Sequence, residues 1–198
     1  MAAAPESPAP NYEDRVTAIA DAAAATSLAL WTAFKEGVYT YAEFSDLSAD
    51  IISQSMAKGV TVAQLTFAGY LKAGLGYIPE QAPPPPVEDN RGKLRKALDS
   101  IFGEDPANLS TEAIEKSEIQ LERLATSEVK TASGRGFYNA LWVSEDVDFY
   151  TRGLERGHCE LCFWLWKEGY EYPTSTYFYM HTGCVCHPVP VISTNRKG

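Results

Sequence analysis

An α+β fold is predicted for this chain, mostly helical in its N-terminal part and ending in a small α+β module clamped by cysteine and histidine. Three observations predict it. Residues 11 to 75 repeat apolar side chains at helical spacing between helix-capping signals. After residue 147 the pattern changes to short β-branched and aromatic runs. Into that second stretch fall all four cysteines of the 198-residue chain, as Cys159-x-x-Cys162 and His181-x-x-Cys184-x-Cys186-His187.

Taken in order, Met1 to Pro10 is rich in alanine and proline and reads as a flexible or polyproline arm. It has neither the basic region nor the apolar core of a signal peptide. Asn11 is placed to cap a first helix with Glu13 and Asp14 at its positive end, and Tyr12, Val16, Ile19, Ala23, Leu30 and Phe34 on one stripe. Gly37 stops it. Thr40-x-x-Glu43 and Thr61-x-x-Gln64 match capping boxes and predict two further helices, with Phe44, Leu47 and Ile51 facing the core from one and Leu65, Ala68 and Leu71 from the other.

Ile78 to Asn90 breaks the helical pattern, because four consecutive prolines have no backbone donors and cannot continue a helix. It is expected to be a spacer. Arg91, Lys93, Arg95 and Lys96 follow on a short helix with Leu94 and Leu98, either as a solvated face or as a surface for an acidic partner. From Ser110, a cap residue, a longer helix should run to about 133 with Ile114, Leu121, Leu124, Ala125 and Val129 inward, until Gly134-Arg-Gly136 closes or hinges it. Val147 to Gly153 predicts a strand leading to the cysteines, and Val189 to Ile192 a short closing strand. The chain thus divides into an arm (1–10), a helical domain (11–78), a proline-rich linker (79–90) and a second domain (91–198) whose Cys/His module covers about 147–192.

Composition limits function. With 45% hydrophobic and 12% aromatic residues the chain is long enough to bury a sizeable core. A net charge of −9 disfavours direct binding to nucleic acid or anionic lipid, which starts from clustered cations. No stretch reads as long and apolar enough to span a membrane, so no membrane partner is expected.

The cysteine and histidine spacing points to a metal. Thiolate and imidazole are the preferred donors of Zn²⁺, and a short C-x-x-C turn presents two sulfurs to one ion. Without a secretory signal the thiols belong to a reducing compartment, which favours metal over disulfides or unliganded cysteines. Cys159, Cys162 and Cys184 are the first candidates, with His181 or Cys186 as the fourth ligand. His158 and His187 read as imidazoles behind the ligands or exposed. A site with four protein ligands is closed, and a closed zinc stabilises structure rather than activating water. His158-Cys-Glu160 matches the H-x-E of zinc deaminases, but these require a downstream P-C-x-x-C where this chain has Cys184-x-Cys186. The aromatics between Cys162 and His181 should pack with the metal to hold the segment together.

The order of Arg152, Cys159-x-x-Cys162 with a bulky apolar run, a Tyr- and Pro-containing spacer, His181-x-x-Cys184-x-Cys186 and Pro188-Val-Pro190 resembles the C-terminal module of MuF-like minor head proteins of tailed phages, most of all those of actinobacteriophages. Leu30-Trp31, the stretches Tyr41 to Ala57 and Thr61 to Leu75, and Arg123 to Glu128 resemble their helical part more loosely. The aromatic density after Cys162 and the four-proline spacer depart from the motif. The resemblance implies a MuF-like domain over 91–198 and a structural role in procapsid and head morphogenesis. It implies association with the phage portal protein, with major capsid or scaffold protein as further contacts. It also implies a place in the virion, inside the head or at the portal vertex, after a period in the host cytoplasm. No enzymatic activity and no fused protease or toxin domain is expected. The alternatives are a zinc-binding interaction module with a regulatory or host-directed role, and a zinc hydrolase or deaminase using Glu160.

Overall fold

The computed structural model describes residues 11–79, 89–154 and 158–192; the expected N-terminal arm and the proline run lie outside them. The fold is α+β and mostly helical, with a small antiparallel sheet at the C-terminal end. The helices are α1 (Tyr12–Lys35), α2 (Tyr41–Leu75), α3 (Arg91–Phe102), α4 (Thr111–Trp142) and α5 (Glu160–Trp166). The strands are β1 (Phe149–Gly153), β2 (Tyr172–Pro173) and β3 (His187–Val191), in the order β2-β1-β3.

Local chemistry explains most helix ends. Thr40 and Glu43 form the expected reciprocal capping box at the start of α2, and the Ser110 hydroxyl accepts from the Ala113 amide at the start of α4. Gly37 follows the end of α1 at φ +76°, a conformation that favours glycine. Asn11 differs from expectation: it precedes α1 in the left-handed region and caps through its carbonyl, which accepts from the Arg15 amide, while its side chain makes no cap bond.

Two expected helix breaks are absent. Thr61 does not start a helix, because α2 runs 35 residues without interruption and the Thr61 hydroxyl bonds back to the Ala57 carbonyl inside it. Gly134-Arg-Gly136 neither ends nor hinges α4, which continues to Trp142. The buried face of α2 explains the first. Ser45, Ala49, Ile52, Met56, Gly59, Ala63, Thr66 and Tyr70 alternate steps of four and three residues, a seam that stays on one side of a long helix. The expected core residues Leu47 and Leu65 lie outside that seam, and Leu65 is 59% exposed.

The seam is lined by small residues, so α2 and α4 come close. A Cβ on Gly59 would collide with the Ser133 hydroxyl, and one on Gly136 would lie 2.9 Å from Val60 Cγ1 and 3.2 Å from its Cα. Gly69, by contrast, has nothing within 4 Å of its Cβ position. Opposite signs are therefore expected from two identical substitutions. Gly69→Ala should raise stability by up to ~1 kcal/mol through helix propensity. Gly136→Ala meets backbone and should lose ~1 kcal/mol net, the overpacking cost of ~1–3 kcal/mol outweighing that gain. Urea midpoints of the two variants measure both.

One core gathers Trp31, Phe44, Ile52, Leu94, Leu98, Phe102, Leu121 and Val129; the other gathers Tyr12, Val16, Val62, Phe67, Phe137, Leu141, Tyr150, Phe178 and Val185. Both draw side chains from either side of residues 79–90. α3 lies antiparallel along the first half of α2, with Arg91 near Asp50 (3.7 Å) and Arg95 on Asp46 (2.7 Å). Two cations of the basic cluster thus face acidic groups of the chain itself, in exposed pairs of the kind that contribute little to stability.

The expectation of no membrane-length segment does not hold by length and composition. α1, rich in alanine, is long and apolar enough to cross a membrane. Its Val16, Ala20, Ala23, Ser27 and Trp31 face is buried against α2 and α4.

Candidate metal centre

Three segments deliver the candidate ligands. β1 is the central strand, pairing antiparallel with β2 and with β3. Side chains of a strand alternate between its faces, so Tyr150 and Arg152 share the buried one. α5 begins at Cys159, whose Sγ accepts from the Cys162 amide at 3.4 Å in the position of an N-cap. The turn His181-Thr-Gly-Cys184 is closed by the Cys184 amide on the His181 carbonyl at 3.2 Å, with Gly183 at φ +80°. β3 then leaves directly from Cys186, and its Pro188 and Pro190 are tolerated because it is an edge strand.

All five candidate ligands of the sequence meet here. Cys159, Cys162 and His181 form one group of donors within 4.8 Å of one another, and Cys162, Cys184 and Cys186 form a second. Cys162 belongs to both. His181 Nε2 lies 2.8 Å from Cys159 Sγ, and the sulfurs of Cys162 and Cys184 are 3.4 Å apart. None of the four cysteines is in a disulfide. Cys162, Cys184 and Cys186 are buried, whereas Cys159 and His181 are half-buried. Burial pushes the Cys162 thiol up to about 11 against the opposing pull of Arg152, and the hydrogen bond with Cys186 raises Cys184 further still. Thiols crowded in this way ionise readily only when a cation shares their site.

The donor set fits a soft or borderline metal ion. It offers sulfur and imidazole nitrogen with no carboxylate in either group, and the His181 Nδ1 is buried without a hydrogen-bond partner. Oxygen-seeking cations such as Ca²⁺ and Mg²⁺ find nothing here to bind. Glu160 is exposed on the first turn of α5 and belongs to neither group. His158 is exposed and stacks on Phe163 with ring centroids 6.0 Å apart.

Compared with protein-family models, with curated proteins and with solved structures, the chain finds no match. The chemistry of the site therefore carries the functional argument, together with the motif resemblance.

Two placements correct the sequence reading. His187 stands neither behind the ligands nor in solvent. It is buried between the rings of Tyr12 (4.7 Å) and Phe137 (5.0 Å), with Nε2 3.1 Å from the Tyr70 hydroxyl, and so fastens the module to α1, α2 and α4. Nor do most aromatics of the module pack on the cysteines. Beside the buried sulfurs lie Leu154 and Cys159, while Phe163, Trp164, Tyr170, Tyr177 and Tyr179 are exposed. Periodicity missed Arg152 because one cation in an aromatic strand carries no signal of its own. It is 4% exposed, donates to the Tyr179 carbonyl (2.9 Å) and to Cys162 Sγ (3.4 Å), and lies over the Phe178 ring.

Burial pulls the His187 pKa down from 6.5 to about 4. As pH falls below 6.5 the unfolded chain takes up this proton first, so stability present above pH 6.5 is lost progressively toward pH 4. The whole window is worth about 3 kcal/mol. The ring packs against Tyr12 and meets the Tyr70 hydroxyl. Urea midpoints at pH 7.5 and 5 are expected to differ more in the wild type than in His187→Phe, and the difference between the two proteins isolates the imidazole.

Proposed function

We propose that this protein is a structural MuF-like minor head protein of a tailed phage, acting in procapsid and head morphogenesis beside the portal, with its C-terminal module closed by Zn²⁺. The observation that carries this reading is convergence. Arg152, Cys159, Cys162, His181, Cys184 and Cys186, the residues on which the resemblance rests, come from β1, α5 and the turn before β3, and their donors gather in two groups joined at Cys162, which Arg152 touches. Zinc is the ion whose preferred donors match a set of thiols and one imidazole. When bound, it would cross-link α5 to the start of β3 and leave docking to the surface of the module.

The test is co-purification. The protein is expected in procapsids and mature virions together with the portal protein, and particles assembled without it should lose portal content or infectivity. Normal particles made without the protein, and its absence from virions, would overturn the role.

A zinc-binding interaction module of regulatory or host-directed type is the second reading. It is favoured by α5, where Trp164 is 69% exposed with Phe163 and Leu161 exposed beside it. A Trp164→Ser variant that assembles into heads with normal portal content, but no longer alters the host, would select this reading over the first.

A further inference from the structure

We propose that the centre holds two metal ions bridged by the Cys162 sulfur: an outer ion on Cys159, Cys162 and His181, and an inner ion on Cys162, Cys184 and Cys186. This rests on the reading that the cluster binds Zn²⁺.

Reach decides the count. Zinc binds sulfur at about 2.3 Å and imidazole nitrogen at about 2.0–2.1 Å, so two donors of one ion stand no more than about 4.6 Å apart even on opposite sides of it. Within each group of three the donor atoms lie within 4.8 Å of one another, with His181 Nε2 2.8 Å from Cys159 Sγ and the sulfurs of Cys162 and Cys184 3.4 Å apart. Across the groups they do not. Cys184 and Cys186 each lie within 4.8 Å of Cys162 but share no group with Cys159 or His181, which places them farther than 4.8 Å from both. An ion seated on Cys159 and His181 therefore reaches Cys162 and neither of the other two sulfurs. A single ion leaves two donors of the cluster unused, whereas two ions use all five.

The backbone keeps the two groups separate. Cys159 and Cys162 are fixed to each other by the first turn of α5, where the Cys159 sulfur accepts from the Cys162 amide. The His181 carbonyl accepts from the Cys184 amide across a turn with Gly183 at φ +80°, which carries the imidazole to Cys159 and the Cys184 sulfur to Cys162. Cys186 is held by the next residue, because His187 is packed between the rings of Tyr12 and Phe137 and pairs with Gly153 in the sheet. Drawing Cys184 or Cys186 into the outer group would open the turn or the start of β3.

The two positions differ in chemistry. The inner one has three sulfurs, all buried, while the outer one has two sulfurs and an imidazole, with Cys159 and His181 half-buried. Solvent reaches the outer ion, so a chelator removes it first. Neither group contains a carboxylate to take a proton from a metal-bound water. The pair is a double staple, joining α5 to the His181 turn through one ion and to the start of β3 through the other.

The experiment uses the full chain, purified anaerobically, saturated with Zn²⁺ and desalted, with bound ions counted by native mass spectrometry. Wild type is expected to hold two ions per chain, which leave in two phases under a chelator. His181→Ala and Cys186→Ala should each hold one, and Cys162→Ser none. With Co²⁺ in place of Zn²⁺, the electron paramagnetic resonance signal should rise with the first ion and fall as the second enters, because a shared sulfur couples the two spins. A wild-type chain that saturates at one ion overturns the proposal and leaves the zinc reading standing. Two ions with uncoupled cobalt signals, or an ion kept by Cys162→Ser, overturn the bridge. If Cys186→Ala does not fold, as judged by far-UV circular dichroism, the wild-type count and the half-buried His181 variant still decide. A wild-type chain that holds no ion removes the zinc reading itself.

Discussion

Replacing Cys162 by serine is expected to strip the chain of bound metal and release the C-terminal module while the helical bundle stays folded. Cys162 is the donor common to both groups and the one that Arg152 touches, so its loss breaks the centre whichever ligand completes it. The fall in metal affinity should exceed the roughly 10–100-fold typical of partners that stand behind the ligands. The structural consequence should be local. The core around Trp31, Phe44 and Leu121 contains no residue of the module, whereas Tyr150, Phe178 and Val185 belong to the second core. Far-UV circular dichroism should therefore keep its helical signal, and limited proteolysis should open residues 158–192. Retention of one ion per Cys162→Ser chain would sink the single-centre reading, and removing metal from the wild type with a chelator should reproduce the variant.

Trp31→Ala is expected to cost about 3–5 kcal/mol, the usual range for truncating a large buried aromatic. Trp31 is fully buried, with its ring centroid 4.2 Å from that of Phe102 and 5.5 Å from that of Phe44. Its indole N–H donates to Glu118 at 3.1 Å, and Lys35 reaches the same carboxylate oxygen at 2.8 Å. One residue thus joins α1 to α2, α3 and α4. Trp31→Phe should cost less, about 1–2 kcal/mol, because it keeps most of the ring contact and leaves Glu118 with its lysine. Guanidinium unfolding followed by circular dichroism measures both. A Trp31→Ala protein as stable as the wild type would mean that this cluster does not hold the bundle together.

The success and failure of sequence pattern here have particular causes. Thr40-x-x-Glu43 and Ser110 were legible because capping is local: hydroxyl, carboxylate and amide lie within one turn. Thr61-x-x-Gln64 carries the same letters but lies inside a long helix, where packing against α4 keeps the backbone helical and turns the hydroxyl back to Ala57. The seam of α2 was hidden because serine, alanine and glycine fill much of it. Apolar periodicity follows large side chains, but close approach of two helices needs small ones.

The metal candidates were readable in advance. Ligand chemistry resides in residue type, and the C-x-x-C and H-x-x-C-x-C spacings are short enough to preserve geometry through any compatible fold. What the sequence by itself determined is therefore the donor set, the mostly helical α+β class, and the helix starts where a cap decides. Only the tertiary structure decided that α2 and α4 run unbroken, that His187 is held between α1, α2 and α4, and that Arg152 stands against Cys162. Each of these depends on partners distant in sequence, brought together by burial, and no local pattern encodes which distant surface a side chain will meet.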